Sequence, residues 1–125
     1  MPESWPTLDA GEWRALAGRP YPELATRLMR PYTVGAFDEA ELAGLVHDAY
    51  AGFGHTAVAP LRQVGPSDWL MELFHGPTLA FKDYALQVIG RLFDQVLARR
   101  GRRIDRKSTR LNSSHIQKSR MPSSA

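Results

Sequence analysis

Cysteine is absent from this 125-residue chain, which excludes disulfide bonds and metal sites built from thiolates. The sequence also lacks any apolar run long enough to span a membrane, and its opening residues MPESWPTLD have neither the basic nor the apolar region of a signal peptide. It contains no GxGxxG fingerprint, no phosphate-binding P-loop and no nucleophile elbow. These absences favour a soluble, cytoplasmic protein without a membrane partner, and the length allows at most one ordinary domain.

Most of the chain has no excess of basic over acidic residues, although the formal net charge of the whole sequence is +3. Residues 105–125 hold five basic side chains and one acidic side chain, a net charge of +4. The preceding 104 residues therefore hold 11 basic and 12 acidic side chains, a net charge of −1. A nucleic-acid partner would need a basic surface on the folded part of the chain, and none is predicted there.

The segment 105–125, DRKSTRLNSSHIQKSRMPSSA, has scattered apolar residues and no sustained helix or strand period. It cannot bury enough apolar area to offset its ordering entropy, so we expect it to be disordered. The segment resembles translated library-adapter sequence, and on that interpretation it is left out of the fold prediction. The alternative is a basic arm that binds nucleic acid or acidic partners.

The first 60 residues carry the signals of three helices. Two pairs of residues have the capping-box spacing, in which the N-cap residue and the residue three positions later exchange hydrogen bonds with each other's backbone. These pairs are Asp9 with Glu12 and Asp38 with Glu41. Between them, Pro22 suits the first turn of a helix and Pro31 is expected to end it. The pattern predicts helices that cover one face of a following sheet.

A strand, a loop and a long helix are predicted after residue 60. Residues 69–74, WLMELF, form a short apolar run between a Gly-Pro-Ser-Asp turn and Gly76-Pro77, which is typical of a strand. From Asp83 the apolar residues recur with helical spacing. This stripe consists of Leu86, Ile89, Phe93, Val96 and Leu97. Gly101 suits the stop of the helix. The three tryptophans are expected to be packing aromatics.

Lys82 lies where the predicted loop meets this helix. In α/β sheets ligands bind where strands lead into helices. The positive end of the helix dipole, with partial burial under Phe74 and Phe81, would favour the uncharged amine that a Schiff-base nucleophile needs. The alternative is an ordinary solvated lysine that pairs with Asp83.

Residues 72–83, ELFHGPTLAFKD, and their continuation YALQVIGRLFDQVLARRGRR resemble the cofactor-lysine segment of the threonine synthases, which are fold type II pyridoxal-phosphate enzymes. Weaker similarity upstream extends the resemblance over roughly residues 1–104. Related enzymes such as threonine dehydratase usually have a serine in the short segment before the lysine, where this chain has Leu79-Ala80-Phe81. The segment is therefore more similar to the threonine synthases than to these relatives.

The resemblance implies that Lys82 holds pyridoxal 5'-phosphate covalently and is also the catalytic base. It implies further residues in a loop near the substrate or the cofactor, namely His75, Gly76, Thr78, Phe81 and Asp83. Of these, Asp83 is expected to be a helix cap rather than a catalytic acid. The histidines are not spaced with carboxylates as in metal sites, so no metal is expected. The implied reaction converts O-phosphohomoserine and water into threonine and phosphate.

The predicted fold class is α/β, as an incomplete N-terminal part of a fold type II enzyme. Residues 1–60 would be its N-terminal helical segment and residues 61–104 the start of its cofactor-binding domain. A second, parallel strand is expected to begin at residues 102–104, but Asp-Arg-Lys follows instead of a run of β-branched residues, and the phosphate-binding loop of the family is absent. We therefore expect a fragment that is inactive alone. Because PESWP resembles a segment that follows an opening strand region in the family, Met1 is expected to be an internal methionine. The alternative function is a non-catalytic helical interaction module.

Overall fold

The computed structural model describes residues 3–101. These residues form four α-helices and one antiparallel hairpin. In chain order the elements are α1 (Ala10–Leu16), α2 (Tyr21–Thr33), α3 (Glu39–Tyr50), β1 (Leu61–Gln63), β2 (Trp69–Met71) and α4 (Asp83–Arg99). The strand predicted at residues 102–104 and the segment 105–125 lie outside the described residues. Among the helices described, none has the length and apolar character to cross a membrane.

Both predicted capping boxes are confirmed. The Asp9 carboxylate accepts from the Glu12 N–H at 2.8 Å, and the Glu12 carboxylate accepts from the Asp9 N–H at 2.9 Å. Asp38 and Glu41 form the same reciprocal pair at the start of α3. Each box satisfies backbone donors that the first turn of a helix otherwise leaves without partners. The starts of α1 and α3 are therefore fixed by local sequence.

The prediction that Pro31 ends α2 is wrong, because the helix continues to Thr33. A proline inside a helix removes only its own N–H donor to the residue four positions earlier, so the helix can continue through the two residues that follow Pro31. The Thr33 hydroxyl donates to the backbone oxygens of Arg30 (3.2 Å) and Met29 (3.4 Å). This side chain supplies a donor to carbonyls at the end of the helix, where such groups lack partners.

The core of the described residues lies between α2, α3 and α4. Its centre is α3, whose Leu42 and Val46 are completely buried. A chain of edge-to-face aromatic contacts lies beside it, with ring centroids 4.9–5.2 Å apart. Its members are Tyr21, Tyr50, Phe53 and Tyr84. The three tryptophans, expected to be packing aromatics, are all exposed, so that prediction is wrong.

The predicted stripe on α4 is largely not the face that packs on the core. Ile89 and Phe93 are 41% and 51% exposed, whereas Val88 is buried. Tyr84, Val88, Leu92 and Val96, which are spaced four residues apart, meet the core cluster. The helix is apolar on two neighbouring faces, and α3 packs on the face that the periodicity did not select.

The hairpin is short and open on both faces. β1 and β2 pair with Leu61 opposite Met71 and Gln63 opposite Trp69. The predicted strand begins at Trp69 as expected but ends at Met71, three residues early. All six strand residues are exposed, so within residues 3–101 the helices do not cover a sheet face as predicted. The strands and α4 are joined by the loop 72–82, which carries the candidate site.

Candidate functional site

Lys82 is the N-cap residue of α4, with right-handed helical backbone angles (φ −60°, ψ −26°). It is the only lysine in residues 1–104. Its side chain is exposed, and so are Phe74 and Phe81, so the expected partial burial is not found among the described residues. Within residues 3–101, no carboxylate lies within 4.0 Å of the Lys82 amine. The amine therefore projects from the start of α4 without an acidic neighbour in that part of the chain.

Asp83 is the residue next to Lys82, and it is only 1% exposed. Its Oδ2 atom accepts two hydrogen bonds from Thr78, one from the backbone N–H and one from the hydroxyl, both at 2.8 Å. Asp83 begins α4 but is not its N-cap, because its carboxylate faces the loop instead of the first-turn amides. The expectation of a helix cap is corrected accordingly. The proposed alternative, a Lys82–Asp83 ion pair, does not form either.

Gly76 lies directly against Asp83. A Cβ atom at position 76 would come within 2.4 Å of the Asp83 Cβ and 2.5 Å of its Oδ2. Only glycine allows the loop backbone to approach the carboxylate so closely. Three residues later, Leu79 has a left-handed backbone with φ +62°, which is uncommon for a side chain of this size. The loop is thus held tightly at one side by Gly76, Thr78 and Asp83.

His75 faces away from this contact. Its Nε2 atom lies 3.0 Å from Oε1 of Glu72, and both side chains are mostly buried. Its backbone oxygen accepts from the Gly54 N–H at 2.8 Å, and its ring packs 5.0 Å from that of His55. His75 therefore links the loop to residues 54–55. Residues 3–101 contain no group of three or more side chains suited to hold a metal.

Tyr84 connects the site to the core, and sequence reasoning missed it. Its hydroxyl donates to the backbone oxygen of Val58 at 2.6 Å, while the Tyr50 hydroxyl donates to the backbone oxygen of Tyr84 at 2.7 Å. Burial raises the pKa of both tyrosines, so both remain hydrogen-bond donors at neutral pH. Val58 is itself buried in a left-handed conformation, φ +60°. The position of Tyr84 directly after the AFKD string was the available signal.

The structure thus separates the predicted site residues into three groups. Gly76, Thr78 and Asp83 are in mutual contact, while His75 pairs with Glu72 instead. Phe81 and Lys82 lie exposed where the loop meets α4. The arrangement places the Lys82 amine on the outside of a loop whose inner side is held by the hydrogen bonds between Thr78 and Asp83.

Comparison with known proteins gives concordant matches. The family model for the N terminus of threonine synthase matches residues 1–50. Threonine synthase of Pseudomonas aeruginosa is 50% identical over 104 residues, which are 83% of this chain and 22% of that protein. Threonine synthase of Schizosaccharomyces pombe is 39% identical over 101 residues, covering 80% of this chain and 20% of the relative.

Two solved structures resemble the described fold. The pyridoxal-phosphate-bound threonine synthase of Brucella melitensis matches with a TM-score of 0.80 and 45% identity, over 82% of this chain and 22% of that one. Yeast threonine synthase matches with a TM-score of 0.66 and 33% identity, over 77% and 20% of the two chains. The predicted fold class, the N-terminal part of such an enzyme, is confirmed. The chain spans about a fifth of the length of these relatives, and it belongs to the threonine synthase family, whose N-terminal part it represents.

Proposed function

We propose that this chain is the N-terminal part of an enzyme that uses pyridoxal 5'-phosphate to convert O-phospho-L-homoserine and water into L-threonine and phosphate. Family membership and the cofactor in the Brucella melitensis structure support this function. The observation that carries it is the position of Lys82, an exposed amine at the start of α4 whose neighbouring carboxylate is bonded to Thr78 instead. We propose the cytoplasm as its location.

The described residues fit one part of the cofactor, its aldehyde. Lys82 offers a primary amine, the group that condenses with an aldehyde, and the N terminus of the 17-residue helix α4 favours a negatively charged ligand nearby. We expect the cofactor phosphate to be bound by the loop that the resemblance implies after the second strand, outside residues 3–101. Lys82 would therefore hold the cofactor from the side of α4.

The chemistry at the substrate would be shared between cofactor and chain. When bound, pyridoxal phosphate supplies an electron sink that stabilises negative charge on substrate carbons. The Lys82 Nζ atom, released when the substrate binds, would accept protons from the substrate Cα and Cβ atoms. Loss of phosphate from Cγ, protonation of Cγ, addition of water at Cβ and return of a proton to Cα would then give threonine. His75, Gly76, Thr78, Phe81 and Asp83 would shape the loop beside the reacting groups.

We propose that the 125-residue chain alone does not catalyse this reaction. It matches only 22% of the length of the Pseudomonas aeruginosa enzyme, and substrate binding and phosphate recognition need groups outside it. In the proposed division, residues 1–60 are a helical segment and residues 61–104 begin the cofactor-binding domain. The test of function therefore needs the remaining part of an enzyme of this family.

The experiment is a chimera in which residues 1–101 replace the corresponding part of Pseudomonas aeruginosa threonine synthase. We expect it to show visible cofactor absorbance and to release phosphate from O-phosphohomoserine. Lys82→Ala should abolish the absorbance of lysine-bound cofactor and lower turnover by roughly 10²–10⁴-fold, since both the covalent anchor and the base are lost.

The matched control is Arg19→Ala, which removes an exposed cation between α1 and α2, far along the chain from the loop. It should leave absorbance and turnover near those of the unaltered chimera. A Lys82→Ala chimera that keeps both its chromophore and its turnover would show that the assignment of Lys82 is wrong.

A further inference from the structure

A buried carboxylate lies beside the exposed lysine of the loop. Buried charged groups are normally paired or fully hydrogen-bonded, because removing them from water is costly. Asp83 meets this requirement through Thr78, whose N–H and hydroxyl both donate to Oδ2 at 2.8 Å. The nearest cation in sequence, Lys82, takes no part in the pairing.

The packing around Asp83 holds this arrangement in place. Gly76 closes over the carboxylate from the loop side, with room for no side chain there. The Asp83 N–H donates to the backbone oxygen of Ala80 at 3.1 Å, so a backbone hydrogen bond also fixes the main chain of residues 80–83, which include Lys82. The loop 78–83 is thus closed internally, and its outward part carries Lys82.

From this geometry we infer that Thr78 and Asp83 are positioning residues for Lys82. The two hydrogen bonds from Thr78 hold the Asp83 carboxylate inside the loop and thereby withhold it from the adjacent amine. An ion pair with Asp83 would favour the ammonium form of Lys82 and would make it a poorer nucleophile. The role assigned to the lysine here rests on the proposed function.

The Thr78 hydroxyl is the hydrogen-bonding group that can be removed with the least change to the shape of the loop. Thr78→Val keeps the shape of the side chain but takes away one of the two donors. The carboxylate then keeps only the backbone N–H of residue 78 as a donor and gains from turning toward Lys82, whereas Thr78→Ser restores the hydroxyl donor. Adding Asp83→Asn to Thr78→Val removes the negative charge, so no ion pair with Lys82 can form.

The test measures the reactivity of Lys82 in the 125-residue chain with pyridoxal phosphate and borohydride. The amine nitrogen bonds to the aldehyde carbon with loss of water, and borohydride supplies the hydride that reduces the C=N bond. Mass spectrometry then compares labelling of Lys82 with that of Lys107 and Lys118, the other two lysines of the sequence. The measured quantity is the ratio of Lys82 labelling to the mean labelling of these two reference lysines. Dividing by the reference labelling corrects for differences in reagent concentration and reaction time.

We expect Lys82 to be labelled in preference to the two reference lysines. Thr78→Val should lower the ratio of Lys82 labelling to reference labelling by about fivefold, the upper end of the effect of an exposed ion pair. Thr78→Ser should stay within about twofold of the unaltered chain, and Thr78→Val with Asp83→Asn should recover most of the loss. Thr26→Val is the matched control, because it removes a hydroxyl that donates to the Pro22 oxygen at 2.7 Å on α2.

A merely structural role of Thr78 makes a different prediction. The double variant would then be worse than Thr78→Val, and Thr26→Val would lower the ratio equally. Either result would overturn the inference, as would labelling in the unaltered chain that is equal at all three lysines. Thr78→Ala provides a second truncation should Thr78→Val lose its helical circular dichroism.

One measurement needs no variant. The Thr78 amide should exchange its hydrogen slowly in the unaltered chain, and fast exchange would remove the hydrogen bond on which the inference depends. The proposed function is tested separately by the Lys82→Ala chimera, so failure of one is distinguishable from failure of the other.

Discussion

Single residues of the loop tolerate little change where the backbone meets Asp83. Gly76 is buried, and its approach to the carboxylate is closer than any side chain would permit. By contrast, Gly44 on α3 has open space where a Cβ would be placed. The two glycines therefore have different physical roles, although both occur in ordinary φ ranges.

Gly76→Ala is expected to destabilise the fold by about 1–3 kcal/mol, because the new methyl group overlaps the Asp83 side chain and forces the loop to shift. Gly44→Ala is the control, and it should stabilise α3 by up to about 1 kcal/mol since alanine is the better helix former. Urea unfolding followed by circular dichroism gives both values. Equal changes in the free energy of unfolding in the two variants would contradict the close contact at Gly76.

At this scale, sequence resemblance singled out the six loop residues, including Lys82, but not their partners. The bonds from Thr78 to Asp83 depend on a turn with a left-handed Leu79, and no spacing rule predicts that conformation. The contact between Tyr84 and Val58 joins residues 26 positions apart, which only the packed fold brings together. The roles of the loop residues in catalysis stay predictions.

Among the elements, those with local signals were predictable and those set by packing were not. The capping boxes fix the starts of α1 and α3 through hydrogen bonds within four residues. The end of α2 depends on the Thr33 side chain, and the buried face of α4 depends on which of two apolar faces α3 covers. The end of α2 and the buried face of α4 therefore cannot be predicted from local sequence alone.

Helix α4 is joined to α3 by an ion pair that should give the stability a pH dependence. Arg99 donates to the Glu41 carboxylate, and this hydrogen bond, followed by the backbone bond within the capping box, lowers the pKa of Glu41 below its ordinary value of 4.5. A carboxyl whose pKa is lowered by folding stabilises the fold above its unfolded pKa. That contribution is lost as the pH falls below 4.5.

Glu41→Gln should therefore lower the thermal midpoint at pH 7 and have a smaller effect at pH 3, where the carboxyl of the native chain is becoming protonated. Glutamine preserves the capping box, so the substitution isolates the charge. Glu23→Gln, in the exposed pair with Arg19, is the control. If Glu41→Gln lowered the thermal midpoint equally at both pH values, the ion-pair explanation would be refuted.

The molecule as a whole leaves an unusual amount of apolar surface in contact with water. The hairpin exposes Leu61, Trp69 and Met71, and α4 exposes Ile89 and Phe93. Monomeric proteins rarely expose such side chains in extended patches. The chain also matches only about a fifth of its relatives, so much of the family's structure lies outside the described residues.

We expect the isolated chain to self-associate through these side chains. Ile89→Gln combined with Phe93→Gln should shift the sedimentation profile toward monomer without loss of helical circular dichroism, because both residues are already exposed. Val88→Gln, one position away but buried, should instead reduce the helix content. Association that is unchanged by the double substitution would place the contact elsewhere.

The placement of the tryptophans determines how folding of this chain can be observed. Trp5, Trp13 and Trp69 are all more than half exposed, while Tyr21, Tyr50 and Tyr84 meet the core. Indole emission is therefore already that of a hydrated ring in the folded chain, and its wavelength should hardly move on unfolding. The asymmetric packing of the tyrosines makes near-ultraviolet circular dichroism the optical signal that follows the core.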